Sequence, residues 1–351
     1  MVAGYFSAIS IAKADLPLAV GPAIIMALDK KPPAAGLDFV IFSDLVFDNM
    51  DLVLTLIAPS GATKISDSLV QRVRNALNNL GAETAPADWL APGKACDIAF
   101  SGLAPQQGEA VALNEINEKK PSKIDVIAQP LNGRKKKLLI ADMDSTIVTS
   151  ETLDELADFA GLKNEIAKIT QSAMEGELGF EEAIEARVSM LKDLPEDALE
   201  KTLKRVKLTA GAKMLVATMK ANGAYTILVS GGFSYFTDYI SNEVGFDKSY
   251  GNSLIIKKGK LTGEVAKPIL DKDTKLKVLL QTAAQKKLSL EETLSIGDGA
   301  NDVPMLGAAG LGIAFHAHKV AAQAASARLN HADLSAVLYA QGYRLEELVN
   351  P

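Results

Sequence analysis

Two aspartates one residue apart, Asp142 and Asp144, end an apolar run at 138–141 and are followed by Ser145 and Thr146. In an extended chain, side chains two apart share a face, so both carboxylates can enter one crevice. Two acids there repel unless a cation joins them or one keeps a proton. Either state is useful chemistry. An ionised Asp142 beside a metal can attack phosphorus, and a protonated Asp144 can donate to the departing oxygen. A strand end capped by two Asx turns is the plain structural alternative.

A second acidic cluster shifts that balance. Gly297, Asp298, Gly299, Ala300, Asn301 and Asp302 follow another apolar run, 293–296. Asp298 is the kind of hard-oxygen donor that Mg2+ takes together with waters and a substrate phosphate, and the glycines let backbone approach a ligand. A dinucleotide-binding fingerprint fits badly, because Asp302 stands where a third glycine belongs and would repel a pyrophosphate. A third run, 225–229, leads into Ser230, Gly231 and Gly232 and then a helix over 235–244. Free amides at a helix start attract anions, and the Ser230 hydroxyl adds a donor. A crevice so rich in acid and phosphate needs a cation, and Lys275 is the candidate. Asp271, four residues earlier, offers it a surface ion pair instead, and Lys267, Lys272 and Lys277 compete for the role.

Two residues between the first two clusters lack local partners. Arg187 has Ala183, Ile184, Met190 and Leu191 at helical spacing, so its guanidinium either snorkels to water or meets an external anion. Glu151 has Asp154 and Glu155 at those spacings, which repel it; a helix N-terminus favouring an acid is the alternative. Together the two would grip a zwitterion.

These clusters need elements that bring them to one place. Loops at the carboxyl ends of strands in an open parallel sheet converge on one crevice. The segment 150–208 is dense in helix formers and punctuated by Gly176, Gly179 and Pro195, which predicts three or four short helices. Strand–helix alternation then resumes to about residue 315. The expected fold is therefore an α/β core with a helical cap inserted after its first strand. Residues 254–256, the turn at 258–260 and residues 261–263 predict a β-hairpin. Upstream, 46–130 reads as a small α/β domain. It has strands at 52–58 and 124–128, an apolar run at 95–101, and helices at 66–80 and 108–116. The basic run Arg134, Lys135, Lys136 and Lys137 between the two parts is expected to be a solvated domain edge. Residues 1–45 are expected to be a poorly ordered extension.

Composition sets the outer limits. Among 351 residues, 48% are apolar and 23% charged, the balance of a soluble globular protein. Lys plus Arg number 37 against 43 Asp plus Glu, a net charge of −6, which gives no electrostatic case for nucleic acid. The lone Cys96 excludes an intrachain disulfide and fits a reducing compartment. The apolar stretch 16–28 is broken by Pro17, Gly21 and Pro22 and is too short to cross a bilayer as a helix, which takes roughly 20 residues. No basic cluster precedes it and no clear cleavage site follows. The expectation is a cytoplasmic protein without a membrane partner.

The combined motifs resemble those of the haloacid-dehalogenase-like phosphohydrolases. The match is closer still to the branch acting on O-phospho-L-serine, through Glu151-Thr, Ala173-Met-Glu-Gly-Glu, Arg187-Val-Ser, Val229-Ser-Gly-Gly-Phe, Leu261-Thr-Gly and the tail from Asn330 to Tyr343. The resemblance covers about residues 135–345. It implies a Rossmann-like core within 131–351, a helical cap at 150–208, and hydrolysis to L-serine and phosphate. By the same resemblance Asp142 is the nucleophile and Asp144 the general acid and base. Mg2+ is held by Asp142, the Asp144 carbonyl and Asp298. Ser230, Gly231, Lys275 and Asn301 bind phosphoryl oxygens, with Thr146, Gly232 and Asp302 in support. Glu151 takes the substrate ammonium and Arg187 its carboxylate, while Met174 and Phe180 line a lid. Bacterial members often carry regulatory amino-acid-binding modules, and 46–130 has a compatible, ACT-like rhythm without a diagnostic glycine loop. The stretch Phe315-His-Ala-His-Lys departs from the family's Lys-Pro pattern, and His316, His318 and His331 read as structural. A phosphatase or phosphotransferase for another small phosphomonoester, and a non-catalytic amino-acid sensor, are the competing readings. Nothing in the residues decides between monomer and homodimer.

Overall fold

The computed structural model describes residues 50–61, 63–118, 121–174, 177–270 and 272–351; the extension expected at 1–45 lies outside them. The first strand, β1 (Leu52–Ile57), is buried along nearly its whole length, so it must be covered on both faces. α1 (Asp67–Asn79) supplies one cover. Ser66 caps it by accepting from the Leu69 amide at 3.3 Å, and Leu69, Val70, Val73 and Leu77 turn inward. After the short β2 (Glu83–Thr84) and β3 (Asp88–Ala91) come β4 (Ala95–Ser101), α2 (Pro105–Asn117) and β5 (Asp125–Pro130). Pro105 opens α2 where a missing amide hydrogen costs nothing. The sheet is antiparallel in the order β2-β4-β1-β5, with β3 on β4; the four strands of that path and the two helices make a βαββαβ arrangement to which β3 is added. Leu54, Leu56, Ile98 and Phe100 pack under the helices.

The other face of this sheet carries Ile57, Ala95 and Ile127 into the larger core of the second half of the chain. Polar groups on that face need partners once buried. Arg134 provides them: its Nη1 donates to Asp97 Oδ2 at 2.6 Å, and its Nη2 reaches the carbonyl of Tyr339 at 3.3 Å. Lys136 Nζ donates to the carbonyls of Gly133 and Glu291, both at 2.8 Å. The expected solvated edge is therefore corrected at Arg134 and Lys136, each only 9% exposed. What makes the difference is a buried aspartate and free carbonyls facing them.

In the second half, β6 (Leu138–Ala141) is apolar and fully buried. The cap follows as α3 (Thr152–Asp158), α4 (Lys163–Met174), α5 (Phe180–Ser189) and α6 (Asp197–Leu203). The core resumes with α7 (Ala212–Ala221), β7 (Tyr225–Phe233), α8 (Ser234–Val244) and β8 (Lys248–Asn252). The hairpin β9 (Leu254–Lys257) and β10 (Lys260–Val265) comes next, then α9 (Lys272–Gln285), β11 (Thr293–Gly297), α10 (Val303–Ala308) and β12 (Leu311–Phe315). α11 (Lys319–Ala324), β13 (Ala327–Leu329) and α12 (Ala336–Ala340) complete it. The strands form one parallel sheet in the order β13-β12-β11-β6-β7-β8. The chain leaves β6 toward β7 on one side and later returns to pair β11 on the other. That reversal is the topological switch point at which open α/β sheets bind ligands. Among the described residues no helix is long and apolar enough to cross a membrane.

Candidate active site

Because β6, β7 and β11 are neighbours, their carboxyl ends present Asp142, Ser230 and Asp298 to one space. One cleft is lined by Asp142, Asp144, Glu151, Thr152, Thr170, Arg187, Ser230, Gly231, Gly232 and Asn301, among others. Past Asp142 the chain turns sharply, with Ser145 at φ 55°, a left-handed conformation that costs a non-glycine residue about 1–3 kcal/mol. The turn aims the two aspartates differently. Asp144 accepts from the Thr152 amide at 2.7 Å and from Ser230 Oγ at 3.0 Å. Asp142 instead accepts from Lys275 Nζ at 2.5 Å.

Lys275 lies in the first turns of α9 and is 2% exposed. It also donates to Asp302 Oδ1 at 2.5 Å, which makes it part of a buried ion-pair cluster; Asp271 lies outside the described residues. Asp302 is saturated: its Oδ2 accepts from the amides of Asp298 and Gly299, both at 3.0 Å. Thr146 Oγ1 donates to Asp298 Oδ1 at 3.1 Å. Close approach demands glycine at position 297, where a Cβ would lie 2.3 Å from Asp302 Cγ; at Gly232 a Cβ would lie a tight 3.1 Å from Asp144 Oδ2.

The electrostatics follow from this crowding. Burial, reinforced by the neighbouring Asp302, holds the Asp142 carboxyl well above its ordinary range despite Lys275. Burial also raises Asp144 against the amide of Thr152. Asp298 is pushed up to about 7 by burial and Asp302. Lys275 is disfavoured by burial, but Asp142 and Asp302 outweigh that and hold its ammonium above the usual range. Asp142, Asp298 and Asp302 each place a carboxylate oxygen within 4.8 Å of the others. Three buried carboxylates so close repel one another, and a hard divalent cation between Asp142 and Asp298 would relieve that repulsion, while Asp302 already accepts from Lys275 and two amides.

The cap contributes further lining of the same cleft. Glu151 precedes α3 and accepts from Ser145 Oγ at 2.7 Å; burial and Asp144 hold its carboxyl well above the ordinary range. Arg187 on α5 is 9% exposed. Its Nε donates to the Ala183 carbonyl and its Nη1 to Thr170 Oγ1, both at 3.0 Å. The structure thus brings Asp142, Asp144, Glu151, Arg187, Ser230, Gly231, Gly232 and Asn301 around one cleft, with Thr146, Lys275, Asp298 and Asp302 beneath it. The side chains of Met174 and Phe180 lie outside the described residues. Sequence reasoning missed Thr170, which accepts from Arg187 and donates to Asp154 Oδ1 at 2.9 Å. Its only signal was a polar residue on the buried face of a cap helix.

Comparison with known proteins agrees with this geometry. A family model described as haloacid dehalogenase-like hydrolase matches residues 139–307. A phosphoserine phosphatase of Archaeoglobus fulgidus is 45% identical over 213 residues, covering 60% of this chain and 62% of that protein. This chain therefore spans less than two thirds of that relative's length. A phosphoserine phosphatase of Methanocaldococcus jannaschii is 42% identical over 205 residues, 58% of this chain and 97% of that one. A solved substrate-bound phosphoserine phosphatase complex superposes with a TM-score of 0.56 at 42% identity, over 58% of this chain and 98% of the other. The chain belongs to the haloacid dehalogenase-like hydrolase family.

Proposed function

We propose that the protein hydrolyses O-phospho-L-serine to L-serine and phosphate through a phosphorylated Asp142. The observation that carries this reading is one cleft lined by Asp142 and Asp144 together with Glu151 and Arg187. The first pair suits phosphoryl transfer. The second matches the ammonium and carboxylate that a free amino acid presents. Relatives named phosphoserine phosphatase support it.

The chemistry then runs in two halves. An Asp142 oxygen attacks phosphorus, the bond from phosphorus to the serine oxygen breaks, and the Asp144 proton passes to that oxygen. The raised affinity of Asp144 for its proton suits this role. Water next attacks the acyl phosphate, its proton goes to Asp144, and the Asp142 carboxylate is released with phosphate. Ser230, Gly231, Asn301 and Lys275 offset phosphoryl charge from fixed positions. Mg2+, carried by Asp142, Asp298 and the Asp144 carbonyl, would neutralise charge on the phosphoryl group. Asp302, whose oxygens are already taken by Lys275 and two amides, acts as a strut beneath them. Met174 and Phe180 are assigned to the lid by resemblance alone. A cytoplasmic setting belongs to the same proposal and rests on the lone Cys96.

The test is phosphate release from a panel of small esters with Mg2+ present. Phosphoserine should give the highest kcat/KM, and chelation should abolish turnover. Equal rates on esters lacking the amino or carboxylate group would reject the assignment of Glu151 and Arg187.

A further inference from the structure

The arch that carries Ser230, Gly231 and Gly232 is an irregularity in the sheet. β7 pairs β8 at Val229 with Tyr250 and next at Phe233 with Asn252. Between those pairs β7 has the three residues of the arch, whereas β8 has Gly251 alone. A bulge of this kind re-aims backbone at a site, but two consecutive glycines leave its peptide planes free to turn. Something must fix their sense. The Gly232 amide of the peptide between Gly231 and Gly232 donates to Ser230 Oγ at 2.8 Å, and reversing that peptide would set a carbonyl against the same hydroxyl at the edge of the cleft.

Asn252 is placed to prevent that. It is 2% exposed, and its Nδ2 donates to the Gly231 carbonyl at 2.8 Å. Its Oδ1 accepts from the Leu270 amide at 2.7 Å, while Nδ2 also reaches the Leu270 carbonyl at 3.4 Å. Two carbonyls and one amide as neighbours dictate which end of the side chain is which. Leu270 lies just before α9, the helix whose Lys275 meets Asp142. One buried side chain therefore grips both the phosphate-binding arch and the segment leading to the lysine.

We propose that Asn252 is a positioning residue for phosphoryl transfer: it holds the Gly231 carbonyl out of the cleft and fixes the arch relative to Lys275. The inference rests on the phosphatase reading and deepens it. Asn252 touches neither substrate nor reacting atoms; it acts through Gly231 and the start of α9.

Asn252→Asp tests it with little change of shape. The carboxylate still accepts from Leu270 but repels the Gly231 carbonyl. Asn252→Ser, uncharged and smaller, is the second variant should a buried charge prevent folding. Both are compared with the parent protein by circular dichroism, by turnover of phosphoserine and p-nitrophenyl phosphate, and by competitive inhibition with inorganic phosphate. We expect kcat/KM to fall by about 10²-fold on both esters, the size of loss that a misplacement near 1 Å brings. The inhibition constant for phosphate should rise about 10-fold or more, and the preference between the esters should persist. A folded variant that binds phosphate as tightly as the parent overturns the proposal even if its kcat is lower, because a scaffold defect alone leaves that constant unchanged. A parent protein inactive on both esters overturns the phosphatase reading first, and this inference with it.

Discussion

The floor of the cleft and its cap wall hold their charges in different ways. On the floor each key group has several partners at short range: Lys275 bridges Asp142 and Asp302, Asp302 takes two amides, and Asp144 takes an amide and a hydroxyl. Most of those partners come from β7, α9 and the loops that follow β6 and β11, where strand register fixes them; the Thr152 amide at the start of α3 is the exception. The cap groups hang from short helices, α3 with 7 residues and α5 with 10, lengths that cannot hold helical structure alone in water. Glu151 is anchored through the neighbouring Ser145, and Arg187 through its own helix and Thr170. The difference assigns tasks. On the proposed reading, chemistry that tolerates little displacement belongs to the sheet, and recognition of the substrate's amino and carboxylate groups belongs to the cap.

If that division holds, floor variants should damage every ester and cap variants should damage phosphoserine selectively. The largest effect is expected from Asp142→Asn, because an amide cannot displace the ester oxygen. Phosphate release from phosphoserine and from p-nitrophenyl phosphate should both fall to the assay floor. Retained turnover would remove Asp142 from the nucleophile's role. Asp144→Asn should follow, with kcat reduced on phosphoserine by roughly 10²–10⁴, the range for loss of a general acid and base. Its loss on p-nitrophenyl phosphate should be smaller, since that leaving group departs without a proton.

Crossing to the cap, Arg187→Ala removes a charge-assisted contact worth about 1.5–3 kcal/mol. KM for phosphoserine should rise about 10- to 100-fold while p-nitrophenyl phosphate is little affected. Equal effects on both esters would erase the distinction between floor and cap.

The floor was also the more legible part. Asp142, Ser230 and Asp298 each follow an apolar run, and the runs at 138–141 and 293–296 coincide with β6 and β11 but for the final Gly297. Local sequence pattern carries that information. Partners far apart in the chain do not announce themselves. Arg134 was expected in solvent because its neighbours are basic, yet Asp97 and the Ala340 carbonyl, 37 and 206 residues away, receive its guanidinium. Nothing in the local sequence marks Asn252, because its partners Gly231 and Leu270 lie 21 and 18 residues away. Arg187 and Glu151 were legible for the opposite reason: helical spacing gave them no partner, and an unpaired charge in an apolar setting needs an explanation.

Thr170 gives the smallest effect and the finest probe of the cap. Its hydroxyl accepts from Arg187 Nη1 at 3.0 Å and donates to Asp154 Oδ1 at 2.9 Å, and the residue is 5% exposed. Burial lowers the Arg187 affinity for its proton, and Glu151 and Asp154 counter it, so Thr170 links the guanidinium to one of the acids that support its charge. Thr170→Val keeps the shape and removes the link. A neutral hydrogen bond is worth about 0.5–1.5 kcal/mol, so KM for phosphoserine should rise about 2- to 10-fold with kcat nearly constant. Thr170→Ser should restore the parent value, because it returns the hydroxyl. If valine and serine behave alike, or if p-nitrophenyl phosphate suffers as much as phosphoserine, Thr170 merely packs the cap and Arg187 is held by its own helix.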